Sequence, residues 1–342
     1  MDWEEDGKNI NAFKQERLMR GEIEKKNSEC WNRDYYFMES ISWSKVSSGR
    51  FAVRYYEPGF IFDVAGCSIL GLGENLYYVM GMLNSELRNV YVESLSPTLN
   101  FETGAIKAFP VIIKQNKKEI ITKIVKECIK LEEEDWNSFE TSWDFKCHPL
   151  ISVIAQNRVL FDDTTDIDLA ECYTYWENEC NERFNQLKVK EEELNRIFID
   201  IYGLQDELTP KVEDKDVTVR KADLQRDIKS LISYAVGCMF GRYSLNEEGL
   251  VLAGQPFESH FFEASAPVCG TGFAGALGAS DLIGEFYYKT DDGVKKCTYN
   301  PDKDNIIPIC DEEYFSDDIV SRFCEWVKIV YGEKSLETMR RL

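Results

Sequence analysis

The sequence predicts an α+β protein in which a mixed α/β domain is followed by a long-helix scaffold and a small, mostly helical carboxy-terminal region. Three observations lead to this prediction. Short β-rich stretches separated by turn residues follow Tyr36, and a long stretch of helical periodicity runs from Asp168 to Tyr202. In addition, 44% of the 342 residues are hydrophobic, which is enough to form one large core or several smaller ones.

The first third of the chain contains the predicted strands. Residues 1–35 are charged and lack periodicity, so we expect loops there with at most one short helix. From Tyr35 the chain reads YYFMESISWSKVSSGRFAVRYYEPGFIFDVAG, and the turn residues at 47–49 and 58–59 divide it into three strands. Residues 76–95 place apolar side chains at helical spacing and predict one helix that ends before Pro97.

Helices dominate the sequence after Asn116. The stretch KEIITKIVKECIKLEEEDW predicts the first of them. Within 168–202, large side chains recur at alternating steps of four and three from Cys180 onwards, a heptad pattern that Glu191 interrupts and that Gly203 ends. A helix of this length spans roughly 50 Å at 1.5 Å per residue. It can hold two modules apart or be an ordinary core helix, and the sequence leaves both interpretations open.

Two more helices complete the predicted architecture, one at 221–242 and one at 316–331. The pattern between them loosens into short glycine-rich pieces after Gly249. We therefore expect a first domain at residues 1–115, a helical spacer or scaffold at 116–248, and a carboxy-terminal region at 249–342 with a glycine-rich loop and a terminal helix.

The charge of the chain is distributed unevenly. The formal net charge is −21, but residues 1–115 carry 13 Lys and Arg against 16 Asp and Glu, whereas residues 116–342 carry 27 against 45. Binding a phosphate backbone requires a local basic surface rather than a basic whole protein. Contact with a nucleic acid is therefore expected only in the first third, where Lys45, Arg50 and Arg54 have only Glu57 as an acidic neighbour in sequence.

The cysteine and histidine content argues against disulfides and metal sites. The eleven cysteines are an odd number, and the closest two, Cys172 and Cys180, lie eight residues apart, so we expect reduced, mostly buried thiols. The only histidines are His148 and His260, and His148, which precedes Pro149, suits a structural role. No stretch approaches the roughly 18 apolar residues of a membrane span. The amino end is too charged for a signal peptide, so we expect a cytoplasmic protein.

Several motif-like stretches carry weak signals. Residues 270–275 spell GTGFAG and Asp291 follows at a distance typical of dinucleotide sites, but Pro267 interrupts the strand that should precede the loop. We therefore interpret it as a flexible glycine-rich loop. Residues 300–303 read NPDK and lack the second proline and the aromatic residue of the Asn-Pro-Pro-Tyr segment that holds a flipped adenine. Residues 213–215 read EDK. Nuclease metal sites combine carboxylates with a lysine, but such combinations are expected by chance in a chain with 61 acidic residues.

The remaining candidate site lies in the strand region. It consists of Lys45, Ser47, Ser48, Arg50 and Arg54. Hydroxyls and cations in a turn between strands can bond phosphate oxygens, and a guanidinium can bond two acceptors on a guanine edge. The alternative interpretation is a solvated hairpin, and the residues alone leave the two interpretations about equal.

Longer stretches of the chain resemble a known family. The series SISWSKVSSGRFAVRYY, FIFDVAGCSIL and GMLNSELRNVYVESLSPTLNFETGAIKAFPV resembles the target-recognition region of adenine-specific DNA methyltransferases related to type I and type IIG restriction systems. The stretches DWNSFETSWDFKCHPLI, EEELNRIFIDIYGLQDEL, VTVRKADLQRDIKSLISYAVGCMFGRYSL and PDKDNIIPICDEEYFSDDIVSRFCEWVKIVYGE are similar to the carboxy-terminal region of the PglX family of BREX phage-defence systems. Residues 253–300 depart from the pattern.

This resemblance implies a portion downstream of the catalytic domain. Family members bind S-adenosylmethionine through an amino-terminal Gly-rich loop and carry an Asn-Pro-Pro-Tyr-like segment, and no part of this sequence matches both. The chain would therefore bind no cofactor itself and would not be catalytic alone. It would hold double-stranded DNA for a catalytic domain or subunit, with other defence-system proteins as further partners and no membrane.

The resemblance also suggests roles for individual residues. Lys45, Arg50 and Arg54, with weaker contributions from Ser47 and Ser48, are expected to contact DNA. Pro97, Thr98 and Asn100 are expected to form a structural hinge, after which residues 106–111 return as a strand or an extended lead towards the helical spacer.

Two other function classes stay open at this point. One is an acidic protein–protein interaction module of a defence complex, without direct contact to DNA, which the net charge of −18 over residues 116–342 suggests. A third hypothesis is a complete enzyme that uses the GTGFAG loop to bind a nucleotide.

Overall fold

The computed structural model describes residues 3–24, 32–95, 99–154, 168–251, 261–263, 286–290, 293–302 and 304–339. The chain divides into two compact units. The first unit comprises Met1–Lys126 and Glu193–Pro210, and the second comprises Glu127–Glu192 and Lys211–Leu342. The three-part division expected from the composition stays a prediction.

The first unit combines a small sheet with helices. Its strands are β1 (Ser40–Ser44), β2 (Arg54–Tyr56) and β3 (Gly66–Leu70). Its helices are α1 (Glu4–Met19), α2 (Leu76–Asn84), α3 (Leu87–Leu95), α4 (Thr103–Lys107) and the first part of α5 (Gln115–Asn137). The last part of α6 (Leu169–Tyr202) also belongs to this unit, so that α5 and α6 each have one end in either unit.

Three strands form one antiparallel sheet in the order β2-β1-β3. The third was predicted directly after the turn at 58–59, but it begins only at Gly66, the last residue of the predicted stretch. The central strand reads SISWS and alternates polar and apolar residues, as a strand with one buried face should. Ile41 and Trp43 are buried, whereas Ser44 is exposed and Ser42 is half-buried. One face of the sheet therefore contributes buried side chains to the core, and the opposite face carries serines.

The helix predicted over 76–95 is two helices, α2 and α3, because Ser85 adopts an extended backbone conformation. Groups at the break are engaged elsewhere in the first unit. The Asn84 side chain bonds both the N–H and the C=O of Val53, and the Glu86 N–H donates to the Asn195 side chain at 2.9 Å. Tertiary hydrogen bonds thus override a local helical pattern.

The extended return predicted over 106–111 was wrong for its first residues. Ile106 lies within the short helix α4, and the chain becomes extended only from Pro110. The reason is burial: Ile106 and Phe109 are three residues apart and both are buried, with the Phe109 ring centroid 5.1 Å from that of Tyr91. At the amino end, the expected short helix is the longer α1, although residues 5–7 have left-handed backbone angles.

The second unit is mostly helical. Besides its parts of α5 and α6, it contains α7 (Leu224–Met239), α8 (Ile319–Tyr331) and α9 (Glu333–Met339), as well as a helical stretch at 149–154. Three strands, β4 (Phe261–Glu263), β5 (Phe286–Thr290) and β6 (Gly293–Lys296), form an antiparallel sheet that the sequence did not predict. Long helices with two small antiparallel sheets confirm the α+β class.

The heptad side chains of α6 lie in cores. In the second unit, Cys180 belongs to a cluster that includes side chains of α7 and α8 such as Tyr234 and Trp326. Phe184 and Leu187 belong to a smaller cluster with Leu131 of α5. Glu191, which interrupts the pattern, is half-buried in the second unit, and Leu194 and Phe198 are buried in the first unit. Gly203, with φ of 68°, ends the helix as predicted.

The buried thiols and the buried imidazole are structural. Burial raises the pKa of Cys172, Cys180 and Cys238 to about 12, so these thiols stay protonated. His148 is buried, its Nδ1 accepts from the Leu150 N–H at 3.3 Å, and burial lowers its pKa to about 3. Every helix in the part of the chain that the structure describes is too short or too polar to cross a lipid bilayer.

Alanine in place of Gly81 is expected to lower the free energy of unfolding by about 1 kcal/mol. Its Cβ would lie 2.8 Å from Val125 Cγ2 and 3.4 Å from Phe198 Cε2. Overpacking of this kind destabilises a protein by about 1–3 kcal/mol. Replacing glycine by alanine within a helix stabilises it by only about 0.5–1 kcal/mol. The control Gly104→Ala adds a Cβ with nothing within 4 Å and should be neutral or stabilising. Urea unfolding of both variants measures the difference, and equal stabilities would contradict the packing described.

The neutral His148 makes stability depend on pH. The unfolded imidazole takes up a proton below its ordinary pKa of 6.5, whereas the folded one resists protonation down to about 3. Stability from this group is thus fully present above pH 6.5 and is lost as the pH falls, by up to about 1.4 kcal/mol per pH unit. Subtracting the unfolding free energies of His148→Gln from those of the wild type between pH 4 and 7 isolates this slope. A pH-independent difference would contradict the assignment.

Candidate nucleic-acid interface

One face of the sheet in the first unit presents an arginine among serine hydroxyls. The register pairs Ser42 of β1 with Arg54 of β2 on one side and with Ser68 of β3 on the other. Directly paired residues of antiparallel strands point to the same side, so these three side chains form a row across the sheet. The Ser42 and Ser68 hydroxyl oxygens are 2.6 Å apart. We call the surface formed by Ser42, Ser44, Arg54, Tyr56 and Ser68 the open face.

Arg54 is the most available cation of the three predicted ones. It is exposed, and it has no ion-pair partner among the described residues. Its guanidinium can therefore donate to an incoming phosphate or base without first breaking a contact to a described carboxylate.

Two exposed aromatic rings extend this surface. Tyr56 follows Arg54 by two residues and so lies on the same side of β2. Its ring makes an edge contact with that of Phe60, with centroids 5.5 Å apart, and the two residues are 38% and 51% exposed. The intervening turn is fixed, because the Phe37 N–H donates to the Phe60 C=O and the Gly59 N–H donates to the Phe37 C=O. Gly59, at φ of 118°, adopts a conformation that favours glycine.

Lys45 lies in a different environment from Arg54. Its ammonium is 3.2 Å from the Glu102 carboxylate. Burial raises the pKa of the Cys67 thiol, and Lys45 is near enough to oppose that rise. The register pairs Cys67 with Trp43, on the side of the sheet opposite to the open face. The structure therefore does not bring Lys45 together with Arg54.

Arg50 is placed beside the break between α2 and α3. Its guanidinium is 3.8 Å from the carboxylate of Glu86, whose side chain is largely buried. The chain on its carboxyl side is anchored, since Phe51 and Val53 are buried and Asn84 accepts from the Val53 N–H at 2.8 Å and donates to its C=O at 2.9 Å. Arg50 thus neutralises a carboxylate within its own unit.

Ser47 and Ser48 lie in the connection between β1 and β2. The Ser47 hydroxyl accepts from the Gly49 N–H at 3.1 Å and stabilises the turn, while Ser48 is exposed. The Ser47 N–H donates to the Leu99 C=O at 3.0 Å.

The predicted hinge contacts this same connection. Asn100 forms an antiparallel bridge with Val46, and the Phe101 N–H donates to the Lys45 C=O at 2.7 Å. The indole Nε1 of Trp43 donates to the Phe101 C=O at 2.9 Å. Pro97 and Thr98 lie outside the described residues, and the hinge role stays a prediction.

The structure thus separates the residues that the sequence selected, and their role in DNA contact stays a prediction. Arg54 lies on the open face, whereas Lys45 and Arg50 each lie beside a carboxylate elsewhere in the unit. Ser42, Ser68, Tyr56 and Phe60 were missed. The alternation in SISWS was the signal that could have found the serines, because it places every second residue on one side of a strand.

The weaker motifs have structural roles where the structure describes them. Asn300 accepts from the Phe286 N–H at 3.2 Å, and Asp302 pairs with Arg322 at 3.3 Å. Asp214 accepts from Lys188 at 2.6 Å, a bond that lowers the pKa of that carboxyl. The GTGFAG loop, Pro267, Asp291, His260 and Lys303 lie outside the described residues. Within the described ranges, no group of His, Cys, Asp and Glu side chains is arranged to hold a metal ion.

The two units differ strongly in charge. The first unit carries 18 Lys and Arg against 21 Asp and Glu, a net charge of −3, and the second carries 22 against 40, a net charge of −18. The open face therefore belongs to the unit that is close to neutral.

Comparison with known proteins identifies relatives of this chain. It is 36% identical over 334 residues to the adenine-specific methyltransferase PglX of Lacticaseibacillus casei strain Zhang, a match that covers 96% of the chain. It is 31% identical to the adenine-specific methyltransferase BrxX of Escherichia coli O9:H4 strain HS, over 92% of the chain. The chain spans about a quarter, 24%, of the length of each relative. No protein-family model matches it. The resemblance to these adenine-specific methyltransferases is confirmed for a portion of their length.

Replacing Asn84 by alanine is expected to lower the free energy of unfolding by about 2 kcal/mol, because it leaves the N–H and C=O of the buried Val53 without their partner. The Val53 amide should also exchange with solvent faster. Asn116→Ala, an exposed change on α5, is the control and should stay within about 0.5 kcal/mol of the wild type. Chemical unfolding and amide exchange measure both effects, and a Val53 exchange rate unchanged in Asn84→Ala would contradict the clamp.

Proposed function

We propose that this chain is the DNA target-recognition and scaffold portion of a site-specific adenine DNA methyltransferase used in phage defence. Its first unit would bind double-stranded DNA through the open face. A catalytic domain or subunit would then transfer the methyl group of S-adenosylmethionine to the exocyclic nitrogen of an extruded adenine. The similarity to two adenine-specific methyltransferases over nearly the whole chain supports this proposal.

The observation that carries the proposal is the row of Arg54, Ser42 and Ser68. The exposed guanidinium supplies paired donors that match a phosphate or a guanine edge. Hydroxyls donate and accept, so Ser42, Ser44 and Ser68 can bond phosphate oxygens or base edges. The exposed rings of Tyr56 and Phe60 offer flat apolar surfaces beside these polar groups.

Local charge decides where the DNA can lie. A phosphate backbone is repelled by a surface of −18 and meets little net repulsion from a unit of −3. Lys45 and Arg50 would contribute at the margin of the contact, because each must exchange a nearby carboxylate for a phosphate. Ser47 and Ser48 would make the weaker contacts expected of turn hydroxyls.

The helices provide the scaffold in this proposal. The α5 and α6 helices each contribute to both units, and α6 places buried side chains in the cores of both. In this proposal, these two helices connect the DNA-binding unit to the second unit.

A second candidate function is an acidic protein–protein interaction module without DNA contact. The charge of the second unit favours it. The two functions make different demands on Arg54, because only DNA binding requires that guanidinium.

Titration of a labelled duplex with the whole 342-residue chain at two salt concentrations tests the proposal. Arg54→Ala should weaken binding about five- to tenfold and reduce the slope of log K against log salt by about 1, since one phosphate contact is lost. The combined Arg50→Ala and Arg54→Ala variant should weaken binding further. Arg196→Ala removes an exposed arginine of α6 and serves as the control. Wild-type binding that is absent at low salt, or equal losses in Arg54→Ala and Arg196→Ala, would contradict the proposal.

A further inference from the structure

The loop that precedes α8 in the second unit exposes large apolar side chains. We call residues 304–317 the apolar loop. Ile306 is 71% exposed, Ile309 is 87% exposed, and Tyr314 and Phe315 are 62% and 60% exposed. Single exposed apolar residues are common on protein surfaces, whereas several large ones within one loop make it a candidate for an interaction site.

A buried carboxylate holds the aromatic end of this loop in place. Asp318 is fully buried, and it accepts hydrogen bonds from the backbone N–H groups of Tyr314 at 2.6 Å, Phe315 at 2.8 Å and Ser321 at 2.7 Å. These bonds, that of Phe315 above all, lower the pKa of Asp318 to about 2, so that the carboxylate stays ionised at neutral pH.

Two further contacts hold the loop, one at Pro308 and one at Glu313. The Ile319 N–H donates to the Pro308 C=O at 2.9 Å, and the Cys324 thiol lies 3.3 Å from a Glu313 carboxylate oxygen. Fixing the backbone in advance lowers the entropy that a partner must overcome when it binds the exposed rings. The loop thus has the character of a preorganised contact rather than of a loose connection.

The surroundings of the apolar side chains are acidic. The loop exposes the following carboxylates: Asp304, Asp311, Glu312, Glu313 and Asp317. The second unit as a whole carries a net charge of −18. Such a surface repels nucleic acid and a second copy of itself, and it attracts a surface that bears Lys and Arg.

We propose that the apolar loop is a docking surface for a partner protein that presents apolar side chains surrounded by Lys and Arg. Tyr314, Phe315 and the two isoleucines would enter the apolar part of the partner, as aromatic anchors do at the centre of interfaces. The carboxylates would face the partner's cations at the rim and would speed association. This surface is separate from the open face, and the proposal does not depend on DNA binding.

Synthetic peptides serve as the probes, since they represent the proposed chemistry. A fluorescent amphipathic peptide of Leu and Lys should bind the whole chain, whereas a Leu and Glu peptide of the same length and a Lys peptide without apolar residues should bind at least tenfold more weakly. The combined Tyr314→Ala and Phe315→Ala variant should lose at least tenfold in affinity for the Leu and Lys peptide. Ile309→Asp, at a site that is 87% exposed, should lose binding without disturbing the fold.

The control is Tyr175→Ala. Tyr175 is 52% exposed on α6, with the acidic residues Glu171 and Glu179 four positions before and after it, so it resembles Tyr314 in exposure and in charge but lies on a helix. It should bind the peptide as the wild type does, and duplex binding should be unchanged in every apolar-loop variant. Equal affinity of wild type and loop variants, an equal loss in Tyr175→Ala, or loop-dependent dimerisation of the chain in gel filtration would each overturn the proposal.

Discussion

The register of β1 is the constraint on which the rest of the first unit depends. Side chains alternate along a strand, so a slip by one residue would exchange the whole set of buried and exposed groups. Ile41 and Trp43 are buried, and the Trp43 indole also donates to the Phe101 carbonyl. These contacts fix the register. The register in turn places Ser42 between Arg54 and Ser68, and all three lie on the face of the sheet opposite to Ile41 and Trp43. A site for polar recognition is thus a consequence of how an apolar core is packed.

The same principle explains why the three predicted cations are separated. Lys45 and Arg50 lie in a connection that is tied to the core by the Phe101 and Val53 backbone groups, and there each is close to a carboxylate. Arg54 is the first residue of an edge strand, and among the described residues no carboxylate forms an ion pair with it. Proximity in sequence gave three equivalent candidates, and the sheet distinguishes among them.

The sequence supported some predictions better than others for physical reasons. The long helices and the three strands were recognisable because periodicity and turn residues act locally, and Gly203 ended its helix as expected. The break at Ser85 was not recognisable. It depends on hydrogen bonds between Asn84 and Val53 and between Glu86 and Asn195, and the partners of each bond are distant in sequence. The sheet of β4, β5 and β6 was missed for the same reason, since its strands are short and are stabilised by pairing. For the candidate site, the sequence did not indicate which of the three cations lies on the open face, because that depends on the pairing of the strands.

The two candidate surfaces differ in character. The open face is polar and carries the guanidinium of Arg54, whereas the apolar loop exposes large apolar side chains among carboxylates. Photo-crosslinking can show whether the polar surface contacts DNA. A photoreactive phenylalanine analogue is placed either at Tyr56, which is 38% exposed on the open face, or at Phe13, which is 57% exposed on α1. We expect a crosslink to duplex DNA from position 56 and none from position 13. Equal crosslinking from both positions, or crosslinking from position 13 alone, would contradict it.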